Sequence, residues 1–168
     1  MASVKLAYGS QATYMGDTSL QNFASSTTAG KQGSVVDNST DLYDDYLVQI
    51  KIVTASSPAA ANDKAIYVYA AGAIDASSPV YAGMPAASGT EGSYTFDDAN
   101  YNPLALLGIV PVTAVSKTYV ATFGVAAAFG GMCPIKWVPV VRNYGGVTTS
   151  NTAGDNWLKA QGVYYTVA

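Results

Sequence analysis

KTYVATFGVAAAFGGMCPIKWVPVVRNY, residues 117–144, reads as two extended runs joined by a turn that contains Gly130 and Gly131. In the first run Tyr119, Ala121, Phe123, Val125, Ala127 and Phe129 alternate with Val120, Thr122, Gly124, Ala126 and Ala128. That is a period of two with the bulky residues on one side. In the second run Ile135, Trp137, Pro139 and Val141 share one face, and Lys136, Val138, Val140 and Arg142 share the other. Two such faces of large residues can close into one core, and the Gly-Gly pair suits a hairpin turn. Val138 and Val140, with the small side of the first run, are then expected to form an outward apolar strip. Such a strip needs a cover, from a second sheet, the N-terminal segment or, as we expect at least in part, another protein subunit.

Working outward, Tyr46–Thr54 repeats the signal, with Tyr46, Val48, Ile50, Ile52 and Thr54 alternating with Leu47, Gln49, Lys51 and Val53. Ala65–Ala71 and Ser93–Phe96 read as further strands, and Val80–Tyr81 as a short one. Trp157–Val167 closes the series with Val163, Tyr165 and Val167 on one side. Leu104–Thr113 is almost continuously apolar, and its length and Pro111 favour an edge or bulged strand over a helix. Residues 35–46 read as a loop, 73–92 as a long Ser/Pro/Gly/Ala-rich connection, and 145–156 as a turn region. Residues 1–34 hold no helical pattern and read as an extended arm, docked through Tyr8, Tyr14, Leu20 and Phe23 because such residues are scarce in disordered tails. The expectation is therefore an all-β, antiparallel, jelly-roll-like β-sandwich over residues 35–168, carrying an N-terminal arm over residues 1–34.

Composition sharpens this. The 168 residues include 13 tyrosines but only 11% charged side chains, with a net charge of −3. A neutral surface rich in Tyr, Ala, Ser and Thr suits contact with other proteins. Eight scattered basic residues argue against nucleic acid as a partner. One cysteine, Cys133, has no internal partner, and no apolar run has the length of a signal peptide or a membrane span. Synthesis in a reducing cytoplasm is expected.

The chain has no histidine, which removes Ser-His-Asp and Cys-His catalysis and most transition-metal sites. Cys133 lacks an activating imidazole and reads as a small apolar filler. Asp44-Asp45 and Asp97-Asp98 are adjacent pairs, whose side chains on a strand would point to opposite faces; neither follows a calcium-loop spacing. No catalytic residue, metal or cofactor is expected. Tyr81, Tyr94, Tyr101 and Tyr144 lie in loops or at strand ends that could offer aromatic platforms to sugars, the alternative to protein contact.

The phrases Phe123-x-Val125-Ala126-x-Ala128-Phe129-Gly130-Gly131, Pro134-x-Lys136-Trp137 and Val140-Val141-Arg142-Asn143 resemble a pattern in small virion proteins of tailed bacteriophages. So do Val36-Asp37-Asn38, Lys64-x-Ile66-Tyr67-Val68-Tyr69 and the lead-in Leu20-x-x-Phe23-Ala24-Ser25. The resemblance implies a non-enzymatic capsid decoration (cement) or head-fibre-base protein. Such a protein forms homotrimers on the outer capsid surface and clamps neighbouring copies of the major capsid protein. Val4, Leu6, Tyr8, Tyr14, Leu20, Phe23, Val138, Val140 and Arg142 are the expected interface residues. The alternative is a tail- or fibre-associated sandwich that binds host glycans.

Overall fold

The computed structural model describes residues 3–58, 64–84, 89–96 and 103–167. Among the described residues there are ten strands: β1 (Val4–Met15), β2 (Ala29–Gln32), β3 (Val36–Asp37), β4 (Asp45–Val53), β5 (Ala65–Ala73), β6 (Gly92–Thr95), β7 (Ala105–Pro111), β8 (Thr118–Gly124), β9 (Lys136–Tyr144) and β10 (Trp157–Val167). Among the described residues two single-turn helices accompany them, α1 (Asp17–Leu20) and α2 (Val125–Ala128).

One sheet has the order β1-β10-β4-β8 and the other β6-β2-β9-β5-β7, with β3 also on β9. Pairing is antiparallel and nested: β1 with β10, β2 and β3 with β9, β4 with β8, β5 with β7. A chain that pairs first with last and works inward, then rolls into two layers, is a jelly roll. Strand β6 is an addition on the outside of β2. The all-β sandwich expected from alternation is thus the fold.

Between the sheets, Val48, Ile50 and Ile52 of β4 meet Ile66 and Val68 of β5, Trp137 and Val141 of β9, and Leu158 of β10, all of them buried. Tyr46 packs edge-on against Trp137 with ring centroids 5.6 Å apart. A second cluster lies on the far side of the six-stranded sheet. There Val138 and Val140 are covered by Tyr81, Met84, Tyr94, Phe96 and Leu104. The strip expected to await another subunit is closed by these side chains of the chain itself: Val138 is 1% exposed and Val140 0%.

Two further expectations change. The first run of the 117–144 stretch does not form one side of a hairpin. It ends at Gly124, α2 follows, and the chain passes from the outer edge of one sheet into the centre of the other. Asp45 fixes this crossover, its Oδ1 accepting the Ala126 N–H at 2.6 Å. Gly130 and Gly131, at φ 75° and 97°, turn the chain after the helix, where a Cβ would be strained. Alanine has the highest helix propensity, so a Val-Ala-Ala-Ala run that alternates on paper folds readily into a helical turn.

The N-terminal segment likewise belongs to the sandwich. Strand β1 pairs with β10 from Val4↔Val167 to Met15↔Leu158, and β2 lies between β6 and β9. Met15, Leu20 and Phe23 are core residues. They are held by Asn143, whose Nδ2 donates to the Phe23 carbonyl at 2.7 Å, and by Thr149, whose Oγ1 donates to the Leu20 carbonyl at 2.5 Å.

Candidate functional site

Strands β4 and β9 begin, and β5, β8 and β10 finish, at the same end of the sandwich. Pairing of β10 with β4 stops at Val163↔Asp45, whereas pairing of β10 with β1 runs on to Val167↔Val4. Residues 4–7 and 164–167 therefore form a two-stranded ribbon that extends past the sheet. Directly opposed residues share a face, so the pairs Val4↔Val167, Leu6↔Tyr165 and Tyr8↔Val163 line one side of it. This side is the outward face of the sheet, since Leu158 and Ala160 of β10 point into the core and the odd-numbered residues point away. Exposure is 68% at Val4, 49% at Leu6, 53% at Tyr8, 65% at Tyr165 and 70% at Val167. Leu47 of β4 carries the same face inward, beside Gln161.

The ribbon's other side is not bare. Tyr43 lies across it, with its ring centroid 5.6 Å from that of Tyr164. A Cβ on Gly162 would fall 2.1 Å from the Tyr43 ring, and one on Gly9 would fall 2.3 Å from its hydroxyl. Only glycine allows this approach. Asn38 holds Tyr43 in place, its Oδ1 accepting the Tyr43 N–H at 2.8 Å and its Nδ2 donating to the Tyr43 carbonyl at 3.0 Å. The Asn38 N–H in turn donates to the Ile135 carbonyl at 2.8 Å.

That last bond leads to a groove at the same end, about 470 Å³ in volume and lined by Ile74, Phe129, Met132, Cys133, Pro134 and Ile135 among others. Ile74 is 90% exposed and Met132 76%. The ribbon, the 38–43 loop and the groove lie at this end, and so do Asp37, Asp44 and Asp45 by their pairing and Asp41 and Asp75 by their place in the chain, with Lys5 and Lys136. Asp37 pairs with Lys136 at 3.0 Å. Hydrogen bonds from the Ser39 hydroxyl and N–H, then Lys136, hold the Asp37 carboxyl at about 2. Asp44 accepts the Tyr165 N–H at 3.3 Å.

The opposite end differs in kind. A cleft of about 460 Å³ is lined there by Asn22, Thr54, Ser56, Ser116, Ser150 and Asn151 among others, with no charged side chain in its lining.

Of the residues expected at an interface, Val4, Leu6 and Tyr8 stand exposed on the ribbon. Tyr14 is half-buried, its ring 6.3 Å from Trp137, and Leu20, Phe23, Val138 and Val140 are interior. Arg142 bonds the Thr27 carbonyl and lies over the Phe96 and Tyr144 rings, at 5.3 and 5.4 Å. Of the tyrosines considered for sugars, Tyr81 and Tyr94 are buried, and Tyr94 donates to the Gly83 carbonyl at 2.6 Å. Tyr144 is half-buried, with Lys64 Nζ 5.1 Å from its ring. Tyr101, Asp97 and Asp98 lie outside the described residues. Sequence reasoning missed Tyr165 and Val167 as surface residues, although their alternation with Tyr164 and Thr166 marked a face. It also missed Ile74, Met132 and Ile135, which sit in turns without periodicity.

Among the described residues no group of three or more Cys, Asp or Glu is placed to hold a metal. Cys133 lies in the groove, where burial and then Asp45 push its thiol up to about 12. Thiolate is the reactive form, so Cys133 should react with iodoacetamide at pH 8 at least tenfold more slowly than a free thiol. Unfolding in urea should restore the ordinary rate; a fast native rate would contradict this environment.

What these features define is a jelly-roll sandwich with a group of exposed apolar residues at one end, beside others, such as Leu106, Ile109 and Val120, spread along its strands. No family model and no curated protein matches the chain. Among solved structures, a chain titled Desmodium yellow mottle tymovirus is similar over 100% of this chain and 89% of its own, with 10% identity and a TM-score of 0.32. The resemblance to tailed-phage virion proteins rests on the sequence phrases alone. Among the described residues no helix is long and apolar enough to cross a membrane.

Proposed function

We propose that this protein is a non-enzymatic structural component of a virus particle, a decoration (cement) protein on the outer surface of a tailed-phage head. In this reading it works with further copies of itself, as a homotrimer, and stabilises the shell by clamping neighbouring major capsid proteins. One observation carries it: solvent-facing Val4, Leu6, Tyr8, Ile74, Met132, Tyr165 and Val167 are collected at one end of a charge-poor sandwich. Such a collection is a liability on a free monomer and is ordinary at a surface that is covered in use. Many weak contacts repeated by symmetry then add up through avidity. The phage resemblance supplies the kind of particle; the apolar end supplies the means of attachment.

Co-sedimentation with undecorated shells assembled from the major capsid protein of the same virus tests the reading. Wild type should pellet with shells, and the Ile74→Glu/Met132→Glu double variant should lose at least tenfold in affinity, the size of effect a central contact gives. Wild type that stays in the supernatant would end the cement reading. The neutral hydroxyl- and amide-lined cleft at the opposite end favours the second reading, a tail or fibre protein that binds host glycans. Saccharide binding on a glycan array without shell binding would select it.

A further inference from the structure

We infer that the outward side of the β1/β10 ribbon is where copies of this chain meet one another, a role distinct from that of the neighbouring groove. The inference rests on reading this end as a protein-contact surface and assigns one part of it a partner. The face consists of Val4, Leu6, Tyr8, Val163, Tyr165 and Val167, with Leu47 continuing it; the charged side chain at its inner border is Asp45, opposite Val163, half-buried and accepting the Ala126 N–H. Lys5 belongs to the ribbon's other side, being offset by one residue from Val4 and Leu6.

Three observations favour a second copy as the occupant. The first is area: side chains of this size and exposure present on the order of 500 Å², so two copies meeting there remove on the order of 1,000 Å², where specific interfaces begin. The second is charge. This end is acidic, so two copies meeting elsewhere on it would oppose Asp41, Asp44 and Asp75, whereas the tip of the ribbon face, Val4, Leu6, Tyr165 and Val167, carries no charge and the carboxylate at its border, Asp45, is engaged by the Ala126 N–H. The third is rigidity. Tyr43, seated on Gly9 and Gly162 and held by both polar atoms of the Asn38 amide, braces the ribbon from behind, so little order has to be gained on contact. The groove differs on the first two counts: it is concave, and it has Asp75 and Asp37 beside it.

Light scattering of the isolated protein, with no shell present, tests this. Wild type should show a mass of at least twice 17.3 kDa. Leu6→Glu and Tyr165→Glu should each weaken association at least tenfold, as loss of a buried central side chain does. Both residues are exposed in the single chain, and unchanged far-UV circular dichroism would establish that the variants fold. Ile74→Glu, in the groove, should leave the mass as it is. A wild-type mass of 17.3 kDa up to about 100 μM, where even weak specific contacts saturate, would overturn the inference. An assembly that survives both ribbon substitutions would overturn it as well. Shell binding is a separate measurement, so a monomer that still pellets with shells would remove the self-contact and leave the cement reading standing.

Discussion

A chain lacking residues 1–28 is expected to have no cooperative thermal transition. On a sequence reading that segment is an arm, whose loss would spare the sandwich. In the folded molecule it supplies all of β1, which covers the edge of β10 along nine paired positions. It also carries Met15 and Leu20, both 0% exposed, and Phe23 at 4%. Removing a buried side chain of this size costs about 2–5 kcal/mol. Three such losses, about 6–15 kcal/mol together, are comparable with the roughly 5–15 kcal/mol by which a domain is stable at all. The deletion also strands the Asn143 amide and the Thr149 hydroxyl, whose partners are the Phe23 and Leu20 carbonyls. Calorimetry or near-UV circular dichroism would register the loss directly. A deletion that stops at Ala7 removes ribbon only, and should keep the transition while losing self-association. A sharp melt from the longer deletion would show that β1 is dispensable and the pairing wrong.

Replacement of Asn143 by Asp should cost about 3–5 kcal/mol at pH 7, the usual penalty for an unpaired buried charge. Asn143 is 1% exposed. Its Nδ2 donates to the carbonyls of Phe23 and Val147, at 2.7 and 2.9 Å, and its Oδ1 accepts the Gly145 N–H at 2.9 Å. In the aspartate a second oxygen would face those two carbonyls. The folded protein would then favour the protonated carboxyl, raising its pKa above that in the unfolded chain. A raised folded pKa means that the charged form weighs only on the fold. The variant is therefore most stable below about pH 4, and loses stability as pH rises from there toward the folded value. Urea denaturation of Asn143→Asp at pH 4 and at pH 7, beside wild type, would show this. An equal deficit at both pH values would count against the buried amide as the tie between residues 20–23 and the 143–149 turn.

Much of the fold could be read in the residues because burial on one face writes itself as alternation. Strand β4 is the clear case: Tyr46, Val48, Ile50 and Ile52 point inward and their neighbours outward. The edge position of β7, inferred from Pro111, also holds, and its pairing with β5 slips at Val68/Tyr69 as a bulged strand would. Strand β1 left no comparable trace, since most of its length is exposed on both sides and packing never constrained its pattern. Helix α2 was hidden by its alanines, which satisfy a strand template and a helix template equally. Val138 and Val140 were read correctly as lying opposite Trp137. What the pattern of β9 does not contain is the packing of Tyr81, Met84, Tyr94, Phe96 and Leu104 over that face, because a strand buried on both sides and one with an exposed apolar strip look alike in sequence. The apolar end was legible in part: Val4, Leu6 and Tyr8 were marked, while the turn residues Ile74 and Met132 have no period to announce them.

Val4 and Val167 are cross-strand partners at the tip of the ribbon. A purification tag or fluorescent cargo appended beyond either one would sit against the surface proposed to be occupied in the particle. The Ser150–Asp155 turn, at the far end of the sandwich and largely exposed, is the place to graft such cargo so that it points away from whatever the protein is planted on.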